Sequence, residues 1–505
     1  MTLNKTKKTI IALLATTLIL SPLVTNKVHA MPTTCTTGAF LGWGNNLDKP
    51  SITNDSAYSG KVNIISFDLA TFSNTGYETS ISGDSAAKLA PLGKDTIISA
   101  EMPNPAGGDT HSSISSEDFE TLSNVRIQDI NSSSSLMLQN YKTMISRVAD
   151  ELYNYRQKLN GYNPNAVIYY RPFHEMNAAW FWWGNHDSSQ FKKLWMNIRE
   201  YLVNYRGLTW LKFCYSANES LENDPRVKDA LDYYPGDNYV DTVGLDGYSD
   251  DPENDNILRK TYAELAGGNY NGQNYGGLGK PFGFTEVGPK VGGDYVDLGN
   301  NEIRPFNYQK WNNAIQNQYN KSSYSIIFDG AYDPRNNIHG ASLFNGNEWE
   351  NGNLSDQAHV QNIGWQGNVS DGDTTGTIGQ SLRVEAVKLN YTNNVGLHLA
   401  YQAHVQNIGW MQEVTNGELA GTTGQALRME AIKISLKDSA GNNASNYSVY
   451  YRTHVQNIGW TSWKKNGDVS GTIGQSLRME GLQVYVVKNG TGSAQVLENL
   501  VKSGK

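Results

Sequence analysis

Residues 166–177 read Ala166-Val167-Ile168-Tyr169-Tyr170-Arg171-Pro172-Phe173-His174-Glu175-Met176-Asn177. The first six residues form an apolar run of strand length, rich in β-branched and aromatic side chains. The remaining six form a turn crowded with groups that carry chemistry. Seven further runs of strand length lie in the same half of the chain: Ala39 to Trp43, Val62 to Leu69, Thr96 to Glu101, Trp210 to Ser216, Val240 to Asp246, Pro281 to Glu286 and Tyr324 to Asp329. Between the third and fourth runs, Tyr141, Ile145, Val148, Leu152 and Tyr155 recur at helical spacing. Between the fourth and fifth, Phe191, Leu194, Trp195, Ile198, Leu202 and Tyr205 do the same. Eight strands alternating with helical segments over 36–352 predict a (β/α)8 barrel, the TIM-barrel form of the α/β class. A doubly wound open sheet is the alternative, but no Gly-x-Gly-x-x-Gly turn or phosphate-binding loop supports it.

The whole chain has 505 residues, too many for one ordinary domain. Its last third repeats itself. His359-Val360-Gln361-Asn362-Ile363-Gly364-Trp365 returns at His404 to Trp410 and at His454 to Trp460, and each copy is followed by Gly-Thr-x-Gly-Gln-x-Leu-Arg-x-Glu starting at Gly376, Gly421 and Gly471. Alternation at Leu397, Leu399, Tyr401, Ala403 and Val405 is strand periodicity. The later run Leu427, Met429, Ala431 slips by one to Ile432, Ile434, Leu436, which predicts a β-bulge. Three such units over 356–505 predict an all-β body of prism or trefoil type. A Trp at the same place in each unit (Trp365, Trp410, Trp460) suits a threefold core better than a ligand platform.

Charge and composition narrow the function. With 41 Lys+Arg against 49 Asp+Glu the net charge is -8, which offers no basic field for nucleic acid. Lys5, Lys7 and Lys8, the apolar run Thr9 to Val24 and Val28-His29-Ala30 read as a secretory signal over 1–30. Removing it with its four lysines leaves a charge of -12 and no later membrane-spanning run, so the expected location is secreted, extracellular or at the cell surface. Cys35 and Cys214 permit a disulfide in that compartment, although Cys214 lies in an apolar run that equally suits a buried free thiol. The acidic loop Asp250 to Asp255 lacks the spacing of an EF-hand and reads as solvated rather than as a calcium site. No His/Cys cluster suggests zinc, and neither a metal nor a cofactor is expected.

Barrels of this class place reacting groups at the C-terminal ends of their strands. Glu175 then follows the fourth strand and Glu286 ends the seventh, at one mouth, with Trp180-Phe181-Trp182-Trp183-Gly184 nearby. Two carboxyl groups facing one another are what cleavage of a glycosidic bond requires: one protonates the leaving oxygen, the other attacks carbon or activates water. Indole faces suit sugar rings. The bland alternative is two salt-bridged structural glutamates.

Arg171 to Gly184 and Phe284-Thr285-Glu286-Val287-Gly288 resemble the two catalytic segments of glycoside hydrolase family 26, best known for β-mannanases. The resemblance implies a retaining endo-hydrolase of β-1,4-mannosidic bonds in mannans, galactomannans and glucomannans, with Glu175 as acid/base and Glu286 as nucleophile. It further implies that His174 orients substrate, that Trp180 lines a subsite and that Tyr248 hydrogen-bonds the nucleophile. Arg171 and Asn218 are added as site residues on their position, Asp246 with less weight. A structural role for His174 stays open, as does loop packing for Trp182 and Trp183. Phe328 stands where the family commonly shows a Trp after strand eight, and Met102-Pro103-Asn104 where a His is often seen, so a mixed-linkage β-glucanase or β-xylanase is the alternative; a non-catalytic glycan-binding surface protein is another. The repeats resemble clostridial hydrophobic Trp (ChW) repeats, an attachment module whose partner would be a cell wall, a glycan or a protein.

Overall fold

The computed structural model describes residues 35–43, 62–72, 78–81, 88–219, 225–290, 306–328, 353–393, 395–490 and 492–504. The expected signal segment, and Asp329 at the end of the last barrel strand, lie outside these residues. All eight expected strands form: β1 (Thr36–Trp43), β2 (Ile64–Asp68), β3 (Asp95–Ser99), β4 (Ile168–Arg171), β5 (Lys212–Asn218), β6 (Thr242–Tyr248), β7 (Phe282–Gly288) and β8 (Ser322–Ile327). They pair in parallel in chain order, and β1 closes on β8 to make a barrel.

The barrel interior is layered. Phe40, Ile64, Ile97, Tyr324 and Ile326 form a small apolar cluster apart from the main core. Tyr324 fills this level because Gly283 leaves room: a Cβ there would lie 2.5 Å from the tyrosine ring. Two residues further along the strands the same inward face turns polar, at Ser99, Arg171, Ser216 and Asp246, all buried. The switch from apolar to polar marks the end of the barrel that can hold reacting groups.

Outside the barrel, α1 (Ser116–Asn124), α2 (Leu136–Asn160), α3 (Ser188–Arg199), α4 (Asn256–Ala266) and α5 (Gln309–Asn317) cover the strands. Ser115, Ser135, Asp187 and Asp255 each accept backbone N–H bonds at a helix start, so the acidic loop ends in a helix cap. The expected stripe of α2 is buried at every position, Tyr141 through Tyr155. That of the next helix fails at its end: Tyr205 is 60% exposed. From Glu200 to Tyr205 the helix widens to a π turn, which rotates later side chains away from the α-helical stripe. Both thiols are free, Cys214 being buried with its Sγ 3.6 Å from the Tyr324 hydroxyl.

The repeats form three sheets around a shared core, prism-like in that each sheet is built mainly by one unit. The long pairs are β9 (Asn353–Val360) with β10 (Val384–Thr392), β11 (His398–Val405) with β12 (Met429–Lys437), and β13 (Tyr447–Val455) with β14 (Met479–Lys488). A short segment of each unit crosses to another sheet, cyclically: Gly376 pairs with Gly481, Gly421 with Ala386, and Gly471 with Ala431. The expected bulge is present, since His404 opposes Ala431 while Val405 opposes Met429, leaving Glu430 as the extra residue. Glu385 and Glu480 occupy the same place.

Each bulged glutamate is buried and bound by an arginine (Arg383, Arg428 or Arg478) at 2.6–2.7 Å, with a histidine (His359, His404 or His454) at 3.1–3.2 Å. The repeated tryptophans are not core, contrary to expectation. They sit half-buried on the outer hairpin, edge-on to those histidines, with Lys388, Lys433 and Arg452 over their faces. The core is instead supplied by the alternating residues of the long strands, such as Leu399, Tyr401, Ile432 and Ile434. A final helix, α6 (Gly492–Ser503), packs Leu497 and Leu500 against Tyr450, Trp463 and Tyr485 of the third unit.

The strand exchange depends on glycine. Gly421 has φ 110°, and a Cβ on it would lie 2.4 Å from the Glu385 carbonyl oxygen. Gly421→Ala is expected to destabilise the repeat body by on the order of 1–3 kcal/mol, read as an earlier urea transition of that body. An unmoved transition would show that the exchange tolerates a side chain.

Candidate active site

The residues singled out in the sequence converge at the C-terminal end of the barrel. Arg171, the last residue of β4, extends along the axis and is 2% exposed. Its Nε donates to Ser99 Oγ at 2.7 Å, its Nη1 to Asp246 at 2.9 and 3.2 Å, and its Nη2 to Glu286 Oε1 at 2.6 Å. Asp246, given little weight from sequence, is therefore central. It also accepts from Ser216 at 3.1 Å and Thr285 at 2.6 Å.

Glu286 reaches the axis through a local irregularity. Phe284 pairs with Leu245 and Glu286 with Asp246, so Thr285 is an extra residue in β7. A bulge of this kind turns two successive side chains to one face, here Thr285 onto Asp246 and Glu286 onto Arg171. The second Glu286 oxygen accepts from the Tyr248 hydroxyl at 2.5 Å.

Glu175 is placed by a strained turn. Phe173 and Glu175 have φ 50° and 53°, a left-handed conformation that costs on the order of 1–3 kcal/mol per residue without glycine. The turn is held by Glu175 N donating to Ser216 O at 2.9 Å and by the Trp183 indole donating to His174 O at 2.8 Å. Phe173 is packed edge-on against Trp182 and Phe191. Trp182 and Trp183 thus serve the loop from beneath: both are fully buried, and the Trp182 indole bonds to Met102 O at 2.8 Å. The Glu175 carboxylate accepts from Asn218 Nδ2 at 2.6 Å and from the half-buried Trp180 indole. Asn218 is fixed in turn by Asn177, which bonds to both its backbone N and its backbone O.

Electrostatics separate the two glutamates. The site gathers three buried carboxyl groups, Glu175, Asp246 and Glu286, around one cation. Arg171 contacts two of them directly, whereas the direct partners of Glu175 are the neutral donors Asn218 and Trp180. Burial and then the charge of Glu286 raise the carboxyls of both Asp246 and Glu175, but Asp246 has the Arg171 cation in contact and four bonds donated to its carboxylate, so Glu175 is the group placed to hold a proton. Burial, and then the negative charge of Glu286, push its carboxyl up to about 7, against the opposing hydrogen bonds. His174 is held well below the usual imidazole range by burial, with Arg171 and His111 adding repulsion, and is neutral. It touches neither glutamate carboxylate in the described hydrogen bonds; its ring packs against Phe181 at 4.9 Å.

Several members of the site carry no signal in the sequence. Ser99, Ser216 and Thr285 look like ordinary strand residues, and only the inward parity of their strands could have pointed to them. Glu219, next to Asn218, is a further buried carboxyl, pushed up to about 8 by burial and then by Asp255. In the loop after β3, Met102 is fully buried and Asn104 Nδ2 is spent on the carbonyls of Ser112 and Ser113, so neither is available where a histidine was expected. Glu101 and His111 of that loop both approach His174, and His111 shares with it a contact to the Phe181 ring. After β8, Phe328 stacks on Phe40 at 4.7 Å and meets Tyr248 edge-on.

A closed (β/α)8 barrel with paired, electrostatically unequal glutamates at its mouth is the type of site that glycoside hydrolases use. Residues 49–330 match the model of glycosyl hydrolase family 26, and the chain belongs to that family. Residues 359–393, 404–438 and 454–488 match the clostridial hydrophobic W model. Among similar proteins, a mannan endo-1,4-beta-mannosidase of Bacillus subtilis is 30% identical over 263 residues, 50% of this chain and 60% of the relative. Mannan endo-1,4-beta-mannosidase A and B of Caldalkalibacillus mannanilyticus is 29% identical over 259 residues, 49% of this chain and 42% of the relative. The chain thus spans less than two thirds of the length of these relatives. The solved structure of Bacillus subtilis mannanase man26 is 26% identical, with a TM-score of 0.47 over 63% of this chain and 86% of that one.

Because the Glu286 charge raises the Glu175 carboxyl, Glu286→Gln is expected to lower the Glu175 midpoint from about 7 toward the ordinary carboxylate range. Carbon-13 NMR titration of labelled glutamate in both forms checks this, and a midpoint that stays or rises would show that the two groups do not interact.

Proposed function

We propose that this chain is a secreted, retaining endo-β-1,4-mannanase that cuts mannans, galactomannans and glucomannans, with its repeats serving as an attachment module. The observation that carries the reading is the unequal environment of the two glutamates. Glu175, raised to about 7, holds a proton near neutral pH, while Glu286 lies between the Arg171 cation and the Tyr248 hydroxyl.

In this mechanism Glu175 gives its proton to the glycosidic oxygen as Glu286 attacks the anomeric carbon, and the leaving chain departs as an alcohol. A glycosyl ester on Glu286 results. Glu175, now a carboxylate, takes a proton from water, which attacks the same carbon; Glu286 is released and Glu175 is protonated again. Two inversions give net retention. Arg171 and Tyr248 stabilise the Glu286 carboxylate as it leaves, and Asn218 and Trp180 stabilise Glu175 in the interval when it is charged. The names of the relatives support mannan as substrate, and the half-buried Trp180 supports a sugar-stacking wall beside Glu175.

The mature chain is expected to release oligosaccharides from soluble galactomannan, and Glu286→Ala is expected to abolish that release. Product chromatography on galactomannan, mixed-linkage glucan and xylan tests the substrate. Preference for glucan or xylan would overturn the mannanase reading while leaving hydrolysis, and no product from any of the three would favour a glycan-binding protein. Proton NMR of the first product tests the mechanism, since an α-anomer would exclude double displacement.

The barrel over 36–352 and the repeats over 356–505 are proposed to be separate units. Among their contacts, Lys310 meets Asp373 at 2.6 Å, a partly exposed pair of the kind worth about 0–1 kcal/mol. Removing 356–505 is expected to leave kcat/KM on soluble mannopentaose within about twofold. Loss of a folded barrel, seen by circular dichroism, would refute the division.

A further inference from the structure

The three repeat units share their outer turn more closely than their core. A unit that only had to fold would keep its packing and let its loops drift. Here equivalent core positions differ, as at Val384, Met429 and Met479 or at Leu389, Ile434 and Val484, and buried Asp356 stands where Tyr401 and Tyr451 fill the other two units. The turn Gln-Asn-Ile-Gly-Trp is identical at 361–365, 406–410 and 456–460. Its isoleucines, Ile363, Ile408 and Ile458, are 50%, 48% and 51% exposed.

Part of that identity has a structural cause. The asparagines of the turn adopt φ of 61–63°, and the glycines two residues later are left-handed as well. The indole is presented alike in every unit, by different means. The cross-strand pairs Gln357 with Lys388 and Gln402 with Lys433 are exchanged for Arg452 with Gln483, yet a cation lies 4.4–4.7 Å from the indole centre each time. The isoleucine has no such cause, since half of it faces water. Neither do the exposed Gln380, Gln425 and Gln475, whose side chains make no hydrogen bond among the described residues. Their loop runs beside the turn, because the Gln361 N–H donates to Arg383 O at 3.0 Å, as it does at the same place in the other units. We propose that the three turns are equivalent binding sites for a neutral polysaccharide, namely the insoluble form of the β-mannan that the barrel is proposed to cut. The inference rests on the reading of the repeats as an attachment module.

Three identical sites suit a ligand that is itself repetitive. A folded protein partner offers one matching patch and leaves the other two turns free to drift, whereas a polymer offers the same unit many times. The shared exposed side chains are an aliphatic tip and an amide. An amide donates and accepts, as sugar hydroxyls do, and the isoleucine beside the half-buried indole gives an apolar surface for the C–H face of a ring. Charge is not what the sites present outward: Arg383 is spent on Glu385 at 2.7 Å, with its counterparts likewise paired, and the cation over the third indole is the fully buried Arg452. Each site is small, so binding strength comes from three of them on one chain.

The test uses the full mature chain carrying Glu286→Ala, so that the polymer is not consumed, and measures its depletion by suspensions of crystalline β-1,4-mannan and, separately, of bacterial peptidoglycan sacculi. The chain is expected to be retained on mannan. Ile408→Ser alone is expected to weaken retention about twofold to fivefold, and Ile363→Ser, Ile408→Ser and Ile458→Ser together by about tenfold or more. The triple change is expected to leave the urea transition of the repeat body unmoved and, with Glu286 intact, kcat/KM on soluble mannopentaose within about twofold, which separates binding from folding and from the barrel. Gln380→Ala, Gln425→Ala and Gln475→Ala together are expected to weaken retention in the same direction, and they carry the test if the isoleucine variant unfolds. Retention on mannan that both triple variants keep, or retention on sacculi alone, would overturn the proposal. A chain that binds mannan through these turns but, with Glu286 intact, releases no product would sink the mannanase reading and leave the sites standing.

Discussion

Arg171 fixes the arrangement of the site. It is a fully buried cation at the level where the barrel interior turns from apolar to polar, and it bonds at once to β3, β6 and β7 through Ser99, Asp246 and Glu286. A guanidinium suits this post because its donors leave in a fixed plane and its charge does not titrate. Removing one member of such a buried network strands the others, at about 3–5 kcal/mol. With only one cation for three carboxyl groups, the network also decides which carboxyl keeps a proton. The same contacts that close the top of the barrel therefore set the acid–base state of its mouth.

The position of Glu175 depends on support from several strands. Its own turn is left-handed and unfavourable, and the loop that carries it is kept in place by indole N–H groups bonded to carbonyls of two different loops, Met102 O and His174 O. Asn177 and Asn218 link that turn to the end of β5. Strain at a reacting residue persists only when its surroundings over-determine it, and here the surroundings are the buried aromatic layer of Phe173, Trp182 and Trp183. Those tryptophans support the site indirectly, through geometry, although their abundance near Glu175 suggests sugar contact in the bare sequence.

How much of this can be read from sequence depends on the range of the interaction involved. Strand and helix periodicity is local, and all eight barrel strands and the α2 stripe were legible from it. The slip from Ala431 to Ile432 announced a bulge because a one-residue change of parity has no other simple cause in a paired strand. Tyr205 escaped, since a π turn alters helical register without any distinctive residue to mark it. In the site, the two glutamates, Arg171 and Asn218 were legible as types at or just after strand ends, whereas Tyr248 and Trp180 came only from the resemblance to the family. Asp246 was underweighted, and Ser99, Ser216 and Thr285 were missed, because their importance lies in partners 30 to 75 residues away. The Thr285 bulge in β7 was equally silent, as Phe-Thr-Glu-Val reads as unbroken strand.

The repeats supply an internal control for reading a buried glutamate. Glu385, Glu430 and Glu480 are as buried as Glu175, and like Glu286 they sit at or beside a bulge. Each of the three has an arginine on one oxygen and a histidine beside the other. Charge is matched there within the unit, and each carboxylate pins an outer hairpin to the long strands. Glu175 has neutral donors as its direct partners and the Glu286 carboxylate as neighbour, and there the same side chain is brought near the pH at which it can exchange a proton. Burial alone does not distinguish Glu175 from the structural glutamates of the repeats; the balance of charge among its direct partners does.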